Sequence, residues 1–99
     1  MKIPENIANK IYDILVDIGA SEHMRKCFIL THAWDDDQHE WRFEGKLGFG
    51  GKFWNDWSYL QDKPIWKVNC YSEDETPERK IIIEETNKKL QILINEFYS

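Results

Sequence analysis

Residues 39–71 read HEWRFEGKLGFGGKFWNDWSYLQDKPIWKVNCY, and how this stretch is parsed decides the fold. It holds four of the five tryptophans and every glycine except Gly19. Residues 39–47 alternate: Glu40, Arg42, Glu44 and Lys46 fall on one side, Trp41, Phe43 and Leu47 on the other, with Gly45 between. That period of two predicts a strand with one wet face. Gly48, Gly50 and Gly51 permit backbone angles closed to other residues, so 48–63 reads as an irregular turn or bulge. Pro64 then introduces a further strand, IWKVNCY (65–71), with Trp66, Val68 and Cys70 on one face.

Moving toward the N-terminus, CFILTHAW (27–34) is rich in β-branched and aromatic residues and predicts a strand covered on both faces. The turn 35–38 joins it to the next strand as a hairpin. Residues 20–25 form a polar link. Before it, Ile7, Ile11, Ile14, Leu15 and Ile18 recur on one helical stripe, predicting a helix over 4–18 that stops at Gly19. Toward the C-terminus, an acidic loop at 72–75 precedes Thr76, a good N-cap, with Pro77 in the first helical position. Ile82, Thr86, Leu90, Leu93 and Phe97, flanked by Ile83 and Ile94, mark the buried stripe of a helix over 77–97. Glu84–Lys88 and Glu85–Lys89 stand four apart with the acid first, the favourable sense for intrahelical pairing. The expected fold is α+β, with element order α-β-β-β-α. A three-stranded antiparallel meander carries two helices packed on one face.

Ninety-nine residues form one domain, 1–99, because chains of this size rarely divide their apolar residues between two cores. Apolar residues at 41% suffice for a core, and charged residues at 31% exclude the disordered class. The net charge of −5 disfavours phosphate-backbone binding, which draws on Lys and Arg, and makes a basic protein surface the easier partner. Two cysteines make no disulfide framework, and neither a membrane span nor a signal peptide is visible, so a cytoplasmic protein with free thiols is expected.

In the expected meander the 35–38 turn and the end of the last strand share one rim. Asp35, Asp36, Asp37, Glu73, Asp74 and Glu75 would gather there as a patch that steers a basic partner; the plainer reading is that they solubilise two turns and cap a helix. The loop aromatics Phe53, Trp54, Trp57 and Tyr59 are the other candidate contact, since loops lie on the surface and buried tryptophans anchor interfaces. Local core packing, or stacking of a sugar or base, are the alternatives. No cofactor or metal is expected. GFGGK (48–52) lacks the helix a phosphate loop needs, no Ca²⁺-loop spacing occurs, and Cys27, Cys70, His23, His32 and His39 form no nucleophile-base or zinc pattern.

LGFGGKFW (47–54) followed by CYSEDETPERK (70–80) resembles small proteins of bacterial genomes and mobile elements. These share a Gly-Gly-Lys-Phe segment and a Tyr-x-Glu-Asp-x-Thr-Pro-Glu-Arg segment opening the last helix. The resemblance spans residues 41–95 and implies no particular site or chemistry. In size and acidity the chain is also similar in kind to phage-encoded inhibitors of host or defence proteins, such as anti-CRISPRs. A non-enzymatic protein-interaction module is therefore expected, most concretely such an inhibitor. The alternatives are a small-ligand binder or enzyme using 48–63 as a pocket wall, and a single-stranded nucleic-acid binder.

Overall fold

Helix α1 spans Glu5–Asp17, and the carbonyl of Pro4 opens it by accepting the amides of Ile7 and Ala8 at 3.0 Å each. Its end is a Schellman turn. Ala20 N–H donates to Leu15 O and Gly19 N–H to Val16 O, both at 3.0 Å, with Gly19 at a φ of 115° that a side chain would penalise. Ala20 and Leu15, the two apolar residues that flank such a turn, are both buried. A short 3-10 turn, Glu22–Met24, leads into helix α2, Arg25–His32. Strands β1 (His39–Glu44), β2 (Gly50–Trp57) and β3 (Pro64–Cys70) follow, then helix α3, Pro77–Phe97. Thr76 caps α3 by accepting the Arg79 amide on its hydroxyl at 3.2 Å. The computed structural model describes residues 4–32, 39–44, 50–57, 64–70 and 75–97, and the side chains of 4–29, 67–69 and 75–97.

The expected α-β-β-β-α fold is wrong. The stretch 27–34 belongs to α2 through His32, so the chain begins with two helices rather than one and has three in its described part. Of the residues with described side chains 81% are helical, and Lys67–Asn69 is the strand among them. Among the residues with described side chains the core is accordingly built mainly of helix against helix. Ile7, Ile11, Tyr12 and Leu15 of α1 meet Phe28 of α2 and Leu90 and Ile94 of α3, and Val68 of β3 joins them. Each such burial contributes roughly 1.5–3 kcal/mol against exposure.

What turns 25–32 into helix is tertiary. Phe28 is fully buried with its ring 5.1 Å from that of Tyr12. The Arg25 guanidinium lies 5.0 Å over the same Tyr12 ring. Arg25 also donates to Glu22 at 2.7 and 2.8 Å, to Asp13 at 2.7 Å and to the Asn9 carbonyl at 3.1 Å. The Tyr12 hydroxyl donates to Ser21 O. These contacts outweigh the strand preference of Cys-Phe-Ile-Leu-Thr, because packing overrides intrinsic propensity. Sequence did hold a signal for it: Glu22 and Arg25 are three apart, a helical pairing distance.

The hydrogen bond from Arg25 holds the Glu22 carboxyl below the usual glutamate range, while burial raises the Tyr12 hydroxyl. A lowered folded pKa stabilises above the unfolded value and ceases to do so as pH falls through the folded one. Amides of residues 22–29 are therefore expected to lose hydrogen-exchange protection as pH drops below the ordinary glutamate range. Glu22→Gln should abolish that acid dependence, and an unchanged profile would show that Glu22 does not hold the junction.

Strand pairing also departs from expectation. The described strands pair antiparallel in the order β1-β2-β3, and β2 takes up Gly50–Trp57 from the segment expected to be irregular. Gly and Asn are poor strand formers, but β2 is the central strand with a ladder on each side, and that pairing decides.

Candidate interaction surface

The register sorts the strand positions into two faces. Val68 is fully buried, and its cross-strand neighbours are Phe53 on β2 and, beyond it, Trp41 on β1. Alternation puts Trp57, Trp66 and Cys70 at positions on the same face. Lys67 is exposed and marks the other one. There Lys67 pairs in register with Trp54, and Trp54 with Glu40; the adjacent row is Asn69, Lys52 and Arg42. Position 54 is thus central on the Lys67 face, with Arg42, Lys52 and Lys67 at neighbouring positions and Glu40, Glu44 and Asp56 interleaved.

The four aromatic residues expected to act together are divided by this register. Phe53 and Trp57 fall on the Val68 face, Trp54 on the Lys67 face, and Tyr59 lies outside the described residues. Among the acidic candidates, Asp35, Asp36, Asp37, Glu73 and Asp74 also lie outside them. Glu75 is exposed and borders a depression of about 270 Å³ with Asn69, Lys80 and Ile83. The reason for gathering the acids at one rim has gone, because 27–32 is helix. His39, where β1 starts, pairs with Asn55, whereas Cys70, where β3 ends, pairs with Gly51 at the other end of β2.

No family model, curated protein or solved structure matches the chain. What the surface can do is read from its own residues. No helix among the described residues is long and apolar enough to cross a membrane. No cluster of three or more His, Cys, Asp or Glu suited to a metal ion occurs among them either. Cys27 is a free, exposed thiol on α2, not a covered strand residue. A depression of about 530 Å³ beside α2 is bordered by Asn9, Glu22, His23, Arg25 and Ile29. Arg25 there is committed to Glu22, Asp13 and Asn9, so it holds the fold together rather than offering a free cation.

Sequence reasoning missed Arg42 and Lys67 as neighbours of Trp54 because β2 was read as a loop. The alternation of Lys52, Trp54 and Asp56 was the available signal. It also missed Asn87, whose carboxamide binds both peptide groups of Val68: Val68 N–H donates to Asn87 Oδ1 at 2.7 Å, and Asn87 Nδ2 donates to Val68 O at 3.1 Å. An Asn inside a long helix, where its propensity is poor, was the hint.

Proposed function

We propose that this chain is a non-enzymatic protein-interaction module that docks through the Lys67 face of its sheet, with Trp54 as the anchor. The observation that carries this reading is the register, which centres Trp54 on that face among Arg42, Lys52, Lys67 and Glu40. Tryptophan and arginine are the residues most enriched at energetic centres of interfaces, and a rim of both charge signs supplies orientation. The net charge of −5 favours encounter with a basic partner. An inhibitor carried by a mobile element is the most concrete version, supported by small size and acidity.

Capture from a bacterial lysate tests it when wild type and Trp54→Ala are compared side by side. One protein retained at stoichiometric amounts is expected, with affinity for it weakened about 30-fold in Trp54→Ala, the equivalent of roughly 2 kcal/mol. Equal retention by both proteins sinks the sheet-face reading. Retention of single-stranded DNA at moderate salt in place of a protein would replace it with base stacking on Trp54.

A further inference from the structure

Helix α3 turns Thr86, Leu90 and Ile94 into the core and leaves Ile81 and Ile92 on its outer side, 56% and 58% exposed. Eleven residues are about three turns, so these two stand nearly in line, roughly 16 Å apart. Between them lie Glu84, Glu85, Lys88 and Lys89, all exposed. Sequence spacing pairs Glu84 with Lys88 and Glu85 with Lys89 inside the helix, yet neither closes to ion-pair distance among the described residues. Run backwards, the row keeps its isoleucines in place and exchanges its acids for bases. That is the pattern of a surface complementary to itself.

We propose that α3 pairs antiparallel with α3 of a second copy of this chain, about a twofold axis at the level of residues 86–87. Ile81 then meets Ile92 of the second copy, and Ile92 its Ile81. On one flank Glu84 faces Lys88 of the second copy; on the other Glu85 faces its Lys89, and the twofold repeats both pairs. A parallel arrangement would set acid against acid and base against base. One unfavourable pair remains, Glu78 opposite Glu96 of the second copy. Three turns of one helix bury less than the roughly 1,200 Å² below which interfaces are weak, so the dimer forms and dissociates with concentration and salt.

Sedimentation equilibrium of the full chain from low micromolar to submillimolar concentration tests this. The weight-average mass is expected to rise from one chain toward two at low salt and to fall back at high salt. Glu84→Lys with Glu85→Lys, and separately Lys88→Glu with Lys89→Glu, should each stay monomeric with unchanged helical circular dichroism. An equimolar mixture of the two variants should dimerise, since every facing pair among positions 84, 85, 88 and 89 is then opposite in sign. A wild type that stays at one chain throughout overturns the proposal. So does a charge-swapped variant that dimerises alone, or a mixture that stays monomeric while wild type dimerises.

Discussion

Asn87→Ala is expected to lower the unfolding free energy by about 3 kcal/mol, from two backbone groups left unpaired at roughly 1–3 kcal/mol each. In an antiparallel ladder both peptide groups of one residue point the same way. Asn87 takes both groups of Val68, so at this position they point away from β2, toward the free edge of β3. A strand edge offers donor and acceptor together, and a carboxamide is the side chain that answers both at once. Val68 itself is fully buried, which leaves its peptide groups little access to water when Asn87 is shortened. The closely isosteric Asn87→Asp keeps the acceptor but loses the donor, setting a carboxylate oxygen against Val68 O, and should also be clearly destabilised. Urea unfolding followed by tryptophan fluorescence measures both. An unchanged midpoint with an unchanged slope for Asn87→Ala would mean that water replaces the amide without cost. The same change uncovers part of an edge strand, so aggregation at high protein concentration should rise with it.

Phe28→Ala should cost about 3–5 kcal/mol, the range for removing a fully buried aromatic side chain, and should release α2 from α1. Phe28 is the apolar contact of α2 with Tyr12, and Arg25 holds the same helix from its other end through Glu22 and Asp13. Hydrogen exchange should therefore show amides of 25–29 losing protection before those of 86–94. Cys27 sharpens the comparison. It is exposed on α2, so Cys27→Ser should shift stability by no more than about 0.5 kcal/mol. A strand covered on both faces would make both substitutions costly, and a large loss for Cys27→Ser would argue against the helix.

Much of the helical framework was legible because its signals are local. The spacing of Ile7, Ile11, Leu15 and Ile18, the glycine after them, and the Thr76-Pro77-Glu78 start of α3 each act within a few residues of chain. Phe97 was misjudged as a member of the buried stripe; it is 40% exposed at the helix end. The expected strand over 27–34 gives way to helix through His32 because Cys-Phe-Ile-Leu-Thr suits a strand only when taken alone, while Arg25 acts on Asn9 and Asp13, more than ten residues earlier. The acidic rim was a deduction from that strand and lost its basis with it.

By itself the sequence determined a small, acidic chain, the α1 and α3 stripes with their caps, and the concentration of aromatic residues between 39 and 71. Tertiary structure decided the rest. It made 25–32 a helix by giving Phe28 and Arg25 a shared partner in Tyr12. It made 50–57 the central strand by pairing it on both sides, and it divided Phe53 and Trp57 from Trp54 by setting the register against Val68. Those outcomes depend on groups far apart in the chain, whose pairing no window of local sequence contains.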